Sequence, residues 1–376
     1  MRFHTIRSTK WPEKKRIPVR LGLIALVSVV LLIVGGCAIP KVRFGYVATG
    51  EGIIAFRVDA GTGAASQVFG SPFVAATSPG VAASNSSVLV HPNGRFVYAA
   101  DQDINNISLF QIDPTTGALT EVRPRTPLVT SSGMVGLSPA VMAMDKDGKY
   151  LFVANQVTSD IWVFSIGSSG ALTFVSSAPL AASPSWLTLS SSGNLLYVTV
   201  PDVSAIYAFS VSSGALTQIG TPFVVSGGVG KVAIDPNENF LYVPNPAIDT
   251  VTVLRIHSDG SLGLGSGAYA TGTTPIAAVT SPTGVYLYVA NSGSANLSLF
   301  QVNTTTGQLA VLTSAPIPTG TEPSSLVIDP QAKFFFVVNQ QGNSISEYLF
   351  NSNGTLYSVG NSIHLSVLPR SFSITP

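Results

Sequence analysis

The sequence predicts an all-β chain folded as a seven-bladed β-propeller, with four antiparallel strands to a blade. Three observations lead to it. A segment led by an aromatic residue recurs about every 45–54 residues from Tyr46 to Phe336. Each copy holds four short apolar or alternating runs separated by Gly, Pro, Asn and Asp, which is the pattern of strands and hairpins. The first of these copies, from Arg43, and the last residues, Ser371–Pro376, are complementary fragments of one blade.

The elements follow in a fixed order within a copy. An inner apolar run ends in a turn, as in VAIDPNEN at 232–239 or LVIDPQAK at 326–333. The aromatic run comes next. Its seven versions are Tyr46-Val-Ala-Thr49, Tyr98-Ala-Ala-Asp101, Phe152-Val-Ala-Asn155, Tyr197-Val-Thr-Val200, Tyr242-Val-Pro-Asn245, Tyr288-Val-Ala-Asn291 and Phe336-Val-Val-Asn339. An alternating run follows, such as ISLFQI at 107–112, IWVFSI at 161–166 or LSLFQV at 297–302. A DPTTG- or NTTTG-type turn then leads to a last short run, ALTEV, ALTFV, ALTQI or QLAVL. Proline presets φ in these turns, and Gly or Asn accepts φ > 0. The first copy, from Arg43, lacks an inner run, while Ser371–Pro376 reads as an inner run with nothing after it. Pairing the two within one blade closes the ring and removes an open sheet edge.

Composition leaves room for one large domain and little else. Of 376 residues, 45% are hydrophobic and 10% charged, against roughly 25% charged in ordinary domains. Residues 1–20 hold seven Lys/Arg and one Glu, whereas from Cys37 onward there are 12 Lys/Arg and 17 Asp/Glu. The propeller is therefore mildly acidic, and nucleic acid is not an expected partner.

The leader divides into a basic segment, 1–20, and an apolar stretch, 21–36, followed by Cys37 and a short tether, 37–42. Sixteen apolar residues suit a signal-peptide core and are short for a spanning helix. Val34-Gly35-Gly36-Cys37 resembles a bacterial lipobox, in which the cysteine is lipidated and becomes the new N-terminus. Cys37 is the sole cysteine, and lipidation accounts for a lone thiol in an exported protein. The other reading is a chance cysteine at the end of an uncleaved anchor. Either one holds residues 43–376 at a membrane. Ala38 after the cysteine favours the outer membrane or cell surface over the inner membrane.

Geometry sorts the polar residues before chemistry does. Loops leaving the aromatic strands and crossings between blades share one face, around the channel mouth. The first set contributes Glu51, Asp101, Gln102, Asn155, Gln156, Asp202, Asn245, Asn291, Asn339 and Gln340. The crossings contribute Trp186, Lys231, Ser324 and Arg370. Lys231, Arg370 and Trp186 amid Asn and Gln suit a polar or anionic small molecule, while the recurring Asn residues also read as loop caps that bond nearby backbone. His91 and His257 occupy turn positions on the far face, and His364 replaces a recurring crossing proline, far from the axis. Asp113, Asp235 and Asp329 read as turn formers. No metal-ligand cluster, phosphate-binding loop or nucleophile elbow is present in the sequence, and no cofactor is expected.

The YVAN cores, DPNG-type turns and TTGAL hairpins resemble the bacterial lactonase family of seven-bladed propellers, which includes 6-phosphogluconolactonases. They are also similar to YVTN-repeat surface proteins. The resemblance spans residues 43–376. It implies lactone hydrolysis, with a Pro-Arg-His at one crossing and an Asn-Glu after an aromatic strand. Here the crossing reads Pro369-Arg370-Ser371, and the other position reads Asn155-Gln156 or Asn339-Gln340. The arginine alone carries over. Arg370 or Lys231 could stabilise an oxyanion, leaving Glu51 and Asp101 as fallback bases.

Two functions are therefore expected. The first is a membrane-anchored scaffold of the cell envelope, monomeric, that binds a protein or carbohydrate. The second is a lactone hydrolase of the family type.

Overall fold

The computed structural model describes Met1 and residues 42–78, 81–313, 315–360 and 362–376. Residues 42–376 form one compact unit. Seven of its sheets each contain a four-stranded antiparallel path. The inner strands, in blade order from 1 to 7, are Pro369–Ile374, Asn85–Val90, Pro139–Met144, Trp186–Leu189, Ala233–Ile234, Pro275–Thr280 and Pro323–Ile328. Each touches the inner strands of the blades before and after it, right round the ring. Those of blades 1, 2, 3, 4 and 7 line a channel segment of ≈ 410 Å³.

Blade 1 is built from both ends of the propeller, as the complementary fragments require. Arg43–Thr49 pairs antiparallel with Pro369–Ile374, with Tyr46 opposite Ser373 and Val47 opposite Phe372. On the blade 7 side the seam is tied by the buried ion pair of Arg43 and Asp329. There Lys333 Nζ also donates to the carbonyls of Ala60 and Gly61, at 2.6 and 2.7 Å. On the other side Ser371 and Ser373 accept backbone N–H bonds from Val88 and Val90.

The aromatic strands sit in the middle of each blade and are buried on both faces, so they read as continuous apolar runs. Tyr46, Tyr98, Phe152, Tyr197, Tyr242, Tyr288 and Phe336 are all fully buried. The tyrosine hydroxyl reaches the neighbouring blade, since a buried phenol needs a partner. Tyr98 donates to Gly170 O at 2.8 Å, Tyr197 to Gly260 O at 2.8 Å, Tyr288 to Gly354 O at 2.8 Å and Tyr46 to Gly117 O at 3.1 Å. These glycines end the TTG-type hairpins. Where blade 3 has Phe152 and no hydroxyl, Ser176 bonds Gly214 O instead. Ser266 likewise takes Gly307 O, and the Tyr242 hydroxyl then has no partner among the described residues.

The turns behave as their residues dictate. Asp235 Oδ1 accepts the N–H groups of Asn239 and Phe240 at 2.7 and 2.6 Å, and Asp329 does the same for Lys333 and Phe334. Asp113 Oδ1 accepts from Thr115 and Thr116, and those backbone bonds hold its carboxyl below the usual range. His91 accepts from Asn93 N–H and faces Gly148 O, a turn role on the far face.

The outermost strands are the irregular ones. Those of blades 2, 3 and 5 carry a register shift against the third strand. Those of blades 4, 6 and 7 break into two pieces that pair with the same third strand. Bulged or interrupted edges are poor templates for another chain. A small hairpin, Ala76–Ser78 with Val81–Ala82, separates blades 1 and 2. The repeat did not predict it.

Candidate functional site at the channel mouth

A repeated irregularity builds the mouth. In five inner strands the ladder slips by one residue just inside its start, which leaves Ser86, Ala140, Ile276, Ser324 and Arg370 as the extra residue. The same position in blade 4 is Ser185, whose N–H bonds Thr199 O. In blade 5 it is Lys231, between Gly230, which bonds Pro244 O, and the strand beginning at Ala233. Bulges of this kind cluster at rims and re-aim side chains. The result is a ring of seven equivalent positions carrying three serines, an alanine, an isoleucine and two cations.

Lys231 lies in a crossing where glycine replaces the usual proline, within Gly227-Gly228-Val229-Gly230. Gly227 and Gly228 both take φ of +83°, a left-handed conformation that glycine adopts without steric cost. A Cβ on Gly230 would stand 2.6 Å from Ile276 O, so only glycine lets this loop approach blade 6. There Lys231 N–H donates to Ile276 O and Ala278 N–H donates to Lys231 O.

This crossing walls a pocket of ≈ 280 Å³, which it shares with Ser185, Pro201, Lys231, Pro246, Ala247 and Ile276. Lys231 is the one charged side chain in the lining. Its Nζ lies 5.0 Å from the centroid of the Trp186 ring, a cation–π contact, and Trp186 in turn lines the channel. Among the described residues no carboxylate pairs with this ammonium. Burial among apolar walls disfavours the charged form and pushes Lys231 down to about 8. The N–H groups of Gly228 and Val229 donate to no acceptor among the described residues.

Arg370 occupies the corresponding position in blade 1. It is half-buried, and its Nη1 donates to Ser84 Oγ at 2.7 Å. Glu51 is exposed in the nearby turn, its N–H bonded to Thr49 Oγ1, and no ion pair joins it to Arg370. Asp202 is exposed in a short 3₁₀ turn, Pro201–Val203.

The recurring residues at the ends of the aromatic strands have a different setting. Asp101, Asn155, Asn245, Asn291 and Asn339 are all fully buried. Asn291 Nδ2 donates to Asn296 Oδ1 and Ser298 Oγ at 2.8 and 2.9 Å. Asn339 Nδ2 donates to Ser344 and Ser346, and Asn155 Nδ2 to Asp160. These amides turn into the third strand of their own blade and hold the loop, so they present no surface to a ligand. Asp101 belongs to the same arrangement. It accepts from Asn85 Nδ2 at 2.6 Å and Ser108 Oγ at 2.5 Å, and burial raises it to about 7. Gln156 and Gln340 stand one residue further out and are half-buried. Gln156 Oε1 faces the Gln102 amide at 3.4 Å.

The structure thus brings Lys231 and Trp186 together and leaves Arg370 and Glu51 on another part of the rim. His364 is exposed on an outer strand fragment. The sequence reading named Lys231 without its pocket. The visible signal was Gly227-Gly228-Val229-Gly230 just before it, where five of the other six crossings have proline. Among the described residues no group of His, Cys, Asp and Glu is placed to hold a metal ion, and no helix is long and apolar enough to cross a membrane. Cys37 and Leu21–Gly36 lie outside the described residues.

The fold and its mouth define a propeller of the lactonase type. The model of the family described as lactonase, 7-bladed beta-propeller, matches residues 87–135, 130–230 and 225–322, and the chain belongs to that family. Among solved structures it is similar to a candidate 6-phosphogluconolactonase of Bacteroides fragilis, at 22% identity and a TM-score of 0.74 over 91% of this chain and 100% of that one. A counterpart from Bacteroides uniformis gives 21% and 0.73 over 89% and 100%. The periplasmic gluconolactonase of Pseudomonas aeruginosa gives 18% and 0.72 over 89% and 99%. No curated protein matches the sequence.

Proposed function

We propose that the chain hydrolyses lactones in the pocket around Lys231. The observation that carries this reading is a half-buried ammonium with no acidic partner, set in a pocket at the mouth of a lactonase-family propeller. With Lys231 lowered to about 8, roughly a tenth of it is the neutral amine at pH 7. The neutral Nζ takes a proton from water as the water oxygen attacks the lactone carbonyl carbon. The unpaired N–H groups of Gly228 and Val229 receive the oxyanion. The ring C–O bond then breaks, the proton on Nζ passes to the leaving alkoxide, and the hydroxy acid departs, its carboxyl giving the second proton of the water to solvent. Arg370 offers a second cationic contact on the rim.

Lys231→Met is expected to lower kcat by 10²–10⁴-fold, the usual contribution of a general base, without unfolding the protein. In the parent, turnover is expected to rise with pH through about 8 as the amine deprotonates. Both are read from initial rates on a lactone panel between pH 6 and 9. A Lys231→Met variant with parental kcat, or a flat pH profile, would overturn the assignment.

A second reading, a binding scaffold without turnover, is favoured by Ser371, which stands where the family pattern has histidine. A panel flat at every pH, together with capture of a carbohydrate or envelope protein, would establish it instead. Either function is proposed to work at the cell envelope with Cys37 as the lipidated residue, on the strength of the leader sequence. Labelling with a radioactive fatty acid is expected to vanish in Cys37→Ser, and label that persists would rule this anchor out.

A further inference from the structure

We infer that the pocket beside Lys231 receives an aliphatic group, so that the chain selects alkyl-substituted lactones, and the hydroxy acids they open to, over polyhydroxylated sugar lactones. The inference rests on the hydrolase reading for turnover, but not for binding.

The lining decides it. Pro201, Val229, Pro246, Ala247 and Ile276 present carbon, and the glycines present Cα and backbone. The one hydroxyl, Ser185 Oγ, is already engaged with Thr199 Oγ1 at 2.9 Å. Lys231 is then the single polar side chain free to meet a ligand, and it sits at the side facing Trp186 and the channel. A sugar lactone carries a hydroxyl on nearly every carbon. Inside this pocket those hydroxyls would lose water and find no side-chain partner except Lys231, and the two free N–H groups, of Gly228 and Val229, could serve at most the reacting carbonyl oxygen. An alkyl chain has nothing to leave unpaired and gains about fourfold in affinity per methylene removed from water. A carboxylate or ester oxygen at the other end of the same ligand meets the ammonium, which otherwise stays desolvated and unpaired. The ≈ 280 Å³ of space is equivalent to about nine waters at roughly 30 Å³ each, enough for a lactone ring with a short alkyl chain.

The test is calorimetric titration of the full-length chain with butanoate, hexanoate, octanoate and gluconate. Affinity is expected to rise about fourfold per methylene until the pocket is full. Gluconate is expected to bind at least about tenfold more weakly than hexanoate. Hexanoate binding should vanish in Lys231→Met. It should vanish also in Ala247→Trp, which fills the pocket from an exposed loop position and leaves Lys231 in place. Trp186 fluorescence reports occupancy of the same site independently. Gluconate binding as tightly as hexanoate, a flat chain-length series, or parental hexanoate binding in Ala247→Trp would each overturn the inference. Turnover is scored apart, on alkyl-substituted lactones against gluconolactone. Alkanoate binding with no turnover of either series keeps the pocket and removes the hydrolase reading. Turnover of gluconolactone without alkanoate binding does the reverse.

Discussion

Glu347 carries a carboxyl between blades 7 and 1 with only 4% of the residue exposed. Its Oε1 meets no donor among the described residues, and burial raises the carboxyl from its ordinary 4.5 to about 8. Between those two values the unfolded chain is ionised while the folded chain keeps its proton. The folded state therefore binds more protons, and stability falls as pH rises across that window. Glu347→Gln removes the titration. The variant is expected to gain on the parent by up to about 1.4 kcal/mol per pH unit between pH 5 and 8, and thermal melts at both pH values measure it. A constant difference between the two proteins would show that Glu347 ionises normally. Asp101, raised to about 7, contributes a slope of the same sign in both proteins, so only the difference between them isolates Glu347. The sequence named Asp101 as a fallback base, at a position that is Asn in four of the seven copies. What it did not show is that the position is buried in every blade that carries a polar residue there.

At the scale of the strand and hairpin, the TTG turn is where sequence and packing coincide. Gly307 has φ of +73°, and a Cβ there would lie 2.7 Å from atoms of the Phe240 ring in the preceding blade. The glycine satisfies the turn and admits the neighbour's aromatic side chain at once. Gly307→Ala is expected to cost ~2–4 kcal/mol, from the left-handed backbone and from overpacking together. Gly220 has a similar φ of +62° and nothing within 4 Å of its Cβ position, so Gly220→Ala is expected to cost only the backbone part, about 1–2 kcal/mol. Denaturant melts of the two variants separate the terms, and equal losses would remove the packing argument. Turns and central strands were legible because φ > 0 and burial on both faces restrict residue choice. Outer strands were not, because their exposed faces leave no periodic signal to show where a strand is bulged or broken. The pair of short strands Ala76–Ser78 and Val81–Ala82 lies outside the repeat.

On the scale of the whole ring, fold and site differ in how far sequence reaches. The blade count and the pairing of the ends follow from repetition, which one chain displays in full. The pocket does not, because blades 4, 5 and 6 each contribute a few residues that are far apart in sequence and ordinary on their own. Lys231 and Trp186 could be named singly, but their contact depends on how the inner strands of blades 4 and 5 stand beside each other.

Closure raises a further question, because blade 1 alone is held together without chain continuity between its inner strand and the next. Its seam with blade 7 carries the Arg43–Asp329 pair, both side chains fully buried. Asp329 also accepts the turn N–H groups of Lys333 and Phe334, as Asp235 does for Asn239 and Phe240 in blade 5 with no ion pair to an arginine among the described residues. The turn therefore does not require Arg43, and the ion pair serves the seam. Arg43 Nε and Nη2 meet no partner among the described residues, so the pair is an expensive way to join two blades. Removing one partner leaves a buried charge, and Arg43→Met is expected to destabilise by about 3–5 kcal/mol. Removing both costs less, so Arg43→Met with Asp329→Asn is expected to recover part of the loss. Because the damage falls on the seam, limited proteolysis of Arg43→Met should cut first in blade 1 or blade 7, ahead of the blades across the ring. Uniform cleavage around the propeller, or a double variant no more stable than Arg43→Met, would show that the pair does not act as the closing bond.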